Sequence, residues 1–565
     1  MPPEKGAAGG WFSDRDDRIL ILLSILIGVV VGLTTVAFIL LTGRLAARMY
    51  PPESPAWRRL VIPVLGALSS GYLLYRYFPN ARGSGIPQAK FALFLRDGYI
   101  SLRTVLGKFV CCALSLASGI ALGREGPSVQ IGAGIASVIG RRFGLRAASV
   151  KALVPIGCAA ALAAAFNTPI AAVLFSLEEI LGDMHAPVLG SVVLGSATSW
   201  MVLHLLLGDD PLFHAPAYKL VNPLEFGIYA ILGVIGGLGS VCFVKLLLNI
   251  RLWFRRLPKS TVWVQPVAGG LLVGALGWFV PGVLGVGYDF VDRVLGGDVP
   301  IKTVMLLGIL KLIATPVCYS SGNAGGIFGP SLFIGAMIGG AVGGEAHSLL
   351  PAITANPGAY ALVGMGAAFA GIVRTPLTSV IMIFEMTRDY SIIVPLMIAN
   401  LVSFFISRTL QPEPIYEALA LQEGVHLPEV EHYDEFSGIR VHDIMDRHAP
   451  LLPVEAGLDQ AKAFLAEKEC DSWPVGDNKF VRGVVVTQQL AAAPEGATLI
   501  RDLVPRDSDF PHVHMDHAAN QVLERMRSRG VDCMPVVSRT DIHELLGVVT
   551  LAHILAAYRA KASAS

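Results

Sequence analysis

Three glycine–proline clusters lie inside strongly apolar sequence: Gly83-Ser84-Gly85-Ile86-Pro87, Gly123-Arg124-Glu125-Gly126-Pro127 and Gly326-Ile327-Phe328-Gly329-Pro330. Each is followed by an apolar run of helical character. Proline sits well in a first helical turn, where its missing N–H is not needed. The glycines before it let bare backbone amides approach a ligand. Each cluster therefore predicts a helix that begins within the bilayer, its N–H groups and positive dipole end facing a buried site. Three such ends aimed at one place bind a small anion without a full counter-charge, which is the chemistry of a pore or carrier. Glu125 sits within one cluster, and an acid in such surroundings is a functional residue by default because idle burial is costly. An acidic pair, Glu178-Glu179, closes the stretch Phe175-Ser176-Leu177.

The elements that must carry these residues are membrane helices. Of 565 residues 53% are hydrophobic and only 15% charged, with 60 glycines and a mean hydropathy of +0.59, so most of the chain belongs in lipid. A formal net charge of +1 leaves no bulk attraction for nucleic acid. From about Arg18 to about Thr409 the apolar segments are broken by Gly, Pro and a few charges. Several fall short of the ~20 residues of an upright span. They fit tilted and broken helices packed inside protein, away from lipid. Asp14, Arg15, Asp16, Asp17 and Arg18 precede the first apolar run without the basic region and cleavage site of a signal peptide. That span is expected to stay, with the N-terminus inside. Arg141, Arg142, Arg146, Lys151, Arg251, Arg255 and Arg256 mark cytoplasmic loops by the positive-inside rule. Cys111, Cys112, Cys158, Cys242 and Cys318 lie in apolar stretches, and Cys470 and Cys533 in the tail. Their spacing fits neither a metal ribbon nor a disulfide frame, and they read as small buried hydrophobes.

The membrane part repeats. Gly126-Pro127-Ser128 with Ile131-Gly132-Ala133 and Ile135 recurs as Gly329-Pro330-Ser331 with Ile334-Gly335-Ala336 and Ile338. Thr168-Pro169 followed by Glu178 recurs as Thr375-Pro376 followed by Glu385 at the same offset. Repeats with half-helix ends pointing into their interface mark secondary transporters, and the sequence leaves open whether the halves run parallel or inverted. With these motifs in this order, the chain resembles the CLC family of chloride channels and chloride/proton exchangers over essentially its whole length. The resemblance implies an all-α polytopic membrane protein of two inverted repeats, with a cytoplasmic α/β pair of CBS domains at the C-terminus. It further implies a homodimer in the plasma (inner) membrane, with one anion pathway per subunit. The expected division is residues 1–17, a cytoplasmic segment; 18–421, the transmembrane domain; 422–439, a linker with Glu423, Glu429, Glu431, Asp434 and Glu435; 440–498 and 499–565, the two CBS domains.

Roles for single residues follow from the resemblance. Ser84, by itself an N-cap serine, falls where the family places a hydroxyl on the central anion, and serine there implies a preference for chloride. Tyr416, by itself an interfacial tyrosine, matches the family's pore tyrosine. The amides of Ile327 and Phe328 would complete that central site, and those of Arg124, Glu125 and Gly126 an outer one, favourable enough to enter yet weak enough to leave. Glu125 matches the external gate: ionised it competes for the anion's place, and protonated it swings away. Glu179 falls on the inner proton-transfer position, where channels of the family commonly have an apolar residue. Glu178 reads as a structural acid at a helix end. Chloride/proton antiport is the expected activity, and a passive voltage- or pH-gated chloride channel the alternative. Gly329 stands where many relatives carry alanine, a change expected to matter little.

The tail is duplicated as well. Asp471-Ser472-Trp473-Pro474-Val475 matches Asp532-Cys533-Met534-Pro535-Val536, and Gly483-Val484-Val485-Val486-Thr487 matches Gly547-Val548-Val549-Thr550. Valine runs alternating with amphipathic helices over 458–468 and 518–529 argue for small α/β units. CBS pairs in many proteins bind adenine nucleotides through an aspartate three residues after the Thr. Leu490 and His553 stand there instead, so no cofactor is expected and the tail reads as structural. His512, His514 and His517 form an H-x-H-x-x-H cluster that reads as a solvated turn ahead of a helix, not as a metal site. No H-E-x-x-H, G-x-S-x-G or G-x-x-x-x-G-K occurs, which removes the chemistry of a membrane hydrolase or an ATP-driven pump.

Overall fold

The computed structural model describes residues 15–184, 188–214, 218, 220–425, 439–494, 497–504, 510–539 and 541–562. Most of the N-terminal segment and the linker acids Glu429, Glu431, Asp434 and Glu435 lie outside the described residues. Two compact units are present, Met1–Pro428 and Glu429–Ser565.

The first unit is helical among its described residues. Among the described residues, six helical stretches are long and apolar enough to cross a membrane: Ile19–Met49, Ala147–Phe166, Leu189–Leu207, Glu225–Arg256, Ile301–Ser320 and Tyr390–Gln422, the last broken before Ile415. Others are shorter, such as Ile86–Leu95 and Pro376–Thr387, as the interrupted apolar segments predict. Composition decides which are innermost. The alanine-rich Ala147–Phe166 helix is apolar all round beyond Lys151 and belongs inside protein, where most of it is buried. The Glu125–Arg142 helix packs on it, and Phe328–Leu349 packs on Pro357–Val373. At both contacts the backbones nearly touch: a Cβ on Gly132 would lie 2.2 Å from Gly157 O, and one on Gly335 2.4 Å from Gly364 O. Small residues let helix axes approach where lipid supplies no hydrophobic drive. The repeat seen in the sequence is thus also a repeat of packing. Cys242 departs from the expected burial and is exposed.

In the second unit, strands Ser472–Asp477 and Phe480–Val486 pair antiparallel, as do Cys533–Val537 and Leu545–Thr550. The pairs have matching registers, Ser472 opposite Val486 and Cys533 opposite Thr550. Each carries an irregularity at the same place, between Val475 and Gly476 and between Val536 and Val537. Helices Leu458–Glu467 and Ala519–Arg529 precede these hairpins, where their 3.6-residue patterning predicts them.

Candidate functional site

The three clusters converge. Helices begin at Ile86, Glu125 and Phe328. The first loop is pressed on the second: Gly85, at φ 111°, could take a Cβ only 2.1 Å from Gly126 O, and one on Gly126 would lie 2.4 Å from Ser84 O. The second and third loops exchange both hydrogen bonds of a backbone pair, Gly123 N to Gly326 O at 2.7 Å and Gly326 N to Gly123 O at 2.8 Å. These glycines are equivalent residues of the two halves, so the pair sits on the axis relating them. The first intrahelical bonds run from Ser128 N to Arg124 O and from Ser331 N to Ile327 O, both at 3.0 Å. The amides of Glu125 and Gly126 and of Ile327 and Phe328 therefore come ahead of their ladders, as helix geometry requires. Phe328 is anchored by its ring against Phe166, Phe175 and Phe369, at centroid distances of 4.9, 5.6 and 4.4 Å.

Two hydroxyls stand out nearby. Among the described residues, Ser84 Oγ and Tyr416 Oη are buried and find no hydrogen-bond partner, a state that costs free energy unless a ligand answers it. Tyr416 lies on the Ile415–Gln422 helix, which packs on Ile86–Leu95.

Glu125 is fully buried. Its Oε2 accepts from Gly329 N at 3.2 Å, and its Oε1 from the Tyr288 hydroxyl at 2.5 Å. Arg124 Nε lies 3.9 Å from Oε1. The carboxylate thus holds an amide at the start of the Phe328 helix. Gly329 is closely crowded: a Cβ there would sit 2.8 Å from Tyr288 Oη and 2.9 Å from Glu125 Oε2.

Glu179 stands apart from this cluster. The Pro169–Phe175 helix widens into a π-turn over Ser176–Leu181, a geometry common at functional sites. Consecutive acids there take different partners. Glu179 Oε1 pairs with Lys90 Nζ at 2.9 Å, both buried, and Lys90 lies on the helix that starts just after Ser84. Glu178 accepts from Leu377 N and from Thr378 N and Oγ1. Its repeat partner Glu385 accepts from Ile170 N and Ala171 N. Each half thus supplies the acid that caps the Thr-Pro helix of the other.

Tyr288, Lys90 and two buried lysines escape a reading of the sequence motifs alone. Lys108 Nζ donates to Ala81 O at 3.0 Å and Gly83 O at 2.6 Å. Lys311 Nζ, about 200 residues on, donates to Val283 O at 3.1 Å and to Gly285 O. The signal for them is a third repeat: Gly285-Val286-Gly287-Tyr288 echoes Gly83-Ser84-Gly85-Ile86, each with left-handed glycines before a short helix. In the tail, the His512 and His514 ring nitrogens face the carbonyls of Phe510 and Val537.

Residues 65–408, more than half of the chain, match the family described as voltage gated chloride channel. The chain belongs to the CLC family. Residues 500–560 match the CBS domain. The chain is 32% identical over 373 residues to a protein of Vibrio campbellii named H(+)/Cl(-) exchange transporter ClcA, covering 65% of this chain and 80% of the relative. It is 33% identical over 368 residues to a putative chloride channel protein ClcB-like of Ralstonia nicotianae, covering 64% of this chain and 85% of the relative. Among solved structures, a slow cyanobacterial Cl-/H+ antiporter superposes with a TM-score of 0.66 at 28% identity, over 72% of this chain and 97% of that one. Family and apolar helices together make this a multi-pass membrane protein of the CLC fold with a CBS region, a transport protein and not an enzyme.

Proposed function

We propose that the chain exchanges chloride for protons, with Ser84, Tyr416 and the amides of Ile327 and Phe328 on the central anion and those of Arg124 and Gly126 on an outer one. Glu125 is both gate and proton carrier, and Glu179 the inner proton-transfer residue. The observation that carries this reading is the bond from Gly329 N to Glu125 Oε2. An ionised carboxylate there occupies a donor that an entering anion would use, and a protonated one has little reason to stay. The orphaned hydroxyls of Ser84 and Tyr416 supply the remaining anion donors. Exchange is favoured over a passive channel by the relatives named for it and by the buried Glu179–Lys90 pair, since an ionisable couple buried at the end of a pathway fits proton delivery.

The protein is read as a homodimer in the bilayer of the plasma membrane, with its N-terminus and tail in the cytoplasm. Arg251 pairs with Glu423 at 2.7 Å, so the chain leaves for its tail at the basic end of the Glu225–Arg256 helix, the end the positive-inside rule assigns to the cytoplasm.

The test uses purified protein in sealed liposomes with an outward chloride gradient, equal starting pH, a potassium shunt and a pH dye inside. Uphill proton entry driven by chloride leaving supports exchange. Chloride loss with no protein-dependent pH change makes the protein a passive channel. Glu125→Gln is expected to keep chloride flux and lose coupling.

A further inference from the structure

Tyr288 is assigned no part by the sequence motifs, yet its hydroxyl touches the residue on which the mechanism turns. We propose that Tyr288 is a positioning residue that holds ionised Glu125 closed, and that Gly329 lacks a side chain to leave room for that contact. The proposal rests on reading Glu125 as the gate.

Both carboxylate oxygens are held by donors of the second half, Oε1 by Tyr288 Oη at 2.5 Å and Oε2 by Gly329 N at 3.2 Å. An O–H donated to an ionised carboxylate makes a charge-assisted bond, about twice as strong as a neutral one. The tyrosine is aimed before the carboxylate arrives. It opens the Tyr288–Gly296 helix after Gly287, whose φ is 89° and where an added Cβ would lie 2.6 Å from the Phe333 ring. The loop before it is pinned through Val283 O and Gly285 O by Lys311. Its ring stands edge-on to Phe213 at 5.4 Å, with the Arg124 guanidinium 5.8 Å away. A donor so fixed forms its bond at little entropic cost.

Gly329 gives a second, independent handle. A Cβ there would lie 2.8 Å from Tyr288 Oη, 2.9 Å from Glu125 Oε2 and 2.9 Å from Val286 Cγ1. Of these the carboxylate is the end of a flexible chain, so it is the group that yields. Tyr288→Phe removes the bond by chemistry, and Gly329→Ala displaces the same carboxylate by size.

The experiment measures chloride binding calorimetrically on detergent-purified full-length protein and chloride and proton flux in liposomes. Because the carboxylate competes with chloride, Tyr288→Phe is expected to tighten apparent chloride affinity about tenfold, and Gly329→Ala to act in the same direction. In a Glu125→Ala background, Tyr288→Phe should shift affinity by less than about twofold, because additivity fails only between coupled residues. A packing defect would act equally in both backgrounds, and that result overturns the proposal. So does unchanged affinity in the Glu125 background for both variants. Should Tyr288→Phe not fold, Gly329→Ala with and without Glu125→Ala decides the matter. The underlying reading fails separately: if Glu125→Ala alone keeps proton coupling, Glu125 is not the gate. If it loses coupling while neither variant moves affinity, only the role of Tyr288 falls.

Discussion

The buried lysines offer a test in which two alike perturbations must give unlike results. Lys108 and Lys311 are both fully buried, and each donates to two loop carbonyls in its own half. Methionine in either place leaves two carbonyls without their donor, at about 1–3 kcal/mol each. Part of that is offset because methionine needs no desolvation of an amine. A net loss of about 1–3 kcal/mol is expected for each variant, nearly equal for the two because their surroundings repeat. Function should not follow the same symmetry. The loop held by Lys108 carries Ser84, and a misplaced hydroxyl forfeits a bond to the anion worth about 1.5–3 kcal/mol, so Lys108→Met should weaken chloride binding tenfold or more. The loop held by Lys311 carries Tyr288, so Lys311→Met should loosen the gate and leave chloride affinity equal or tighter. Thermal unfolding in detergent checks the first part and chloride calorimetry the second. Chloride binding weakened to the same degree in both variants would show that the lysines only hold up the fold, and the reasoning from loop to site would be wrong.

Other expectations follow from the same geometry. Glu178→Gln and Glu385→Gln each weaken a carboxylate cap on a helix start and should lower stability by similar amounts, about 1–3 kcal/mol apiece, read from unfolding curves; one silent member would break the mirror relation. Lys90→Met leaves Glu179 buried without its cation at 2.9 Å, and should slow proton flux more than chloride flux when both are recorded in the same liposomes. In the tail, the Arg539 hydrogen bonds hold Asp516 down at about 2. Its folded value lies below the unfolded ~3.9, so the pair stabilises fully above about pH 4 and loses this as pH falls through about 2. The difference between wild type and Arg539→Gln in tail unfolding, followed by Trp473 fluorescence, should shrink across that window. The tail cleft of about 270 Å³ lined by Asp446, Lys468, Trp473, Thr550 and His553 offers no carboxylate at position 553 for a ribose, and millimolar adenine nucleotide should leave the unfolding curve unmoved.

The three clusters were readable because glycine and proline act locally: they set where a helix starts whatever surrounds it. Helix starts at Ile86, Glu125 and Phe328, the duplicated acids Glu178 and Glu385, and the tail hairpins all follow from short patterns. The partners of those residues did not follow. Lys90, Lys108, Lys311 and Tyr288 lie in apolar or ordinary stretches, and their meaning comes from contacts across 25 to 163 residues of chain. The crowding at Gly329 was hidden for the same reason, since the space a Cβ needs is set by Tyr288 and Glu125, far away in sequence. Cys242 shows the limit of hydropathy: an apolar helix has a face turned outward to lipid, and apolar surroundings in sequence do not mean burial.

The backbone pair joining Gly123 to Gly326 has a further consequence. It ties equivalent points of the two halves at their shared axis, and the crossed caps of Glu178 and Glu385 tie them again at the Thr-Pro helices. A carrier that exposes its cargo by swinging one half against the other would have to part these seams in every cycle, stranding buried amides and carbonyls each time. On the proposed reading the seam is the fixed frame and the moving part is the Glu125 side chain. Access can then alternate at the scale of one rotamer, with the scaffold at rest.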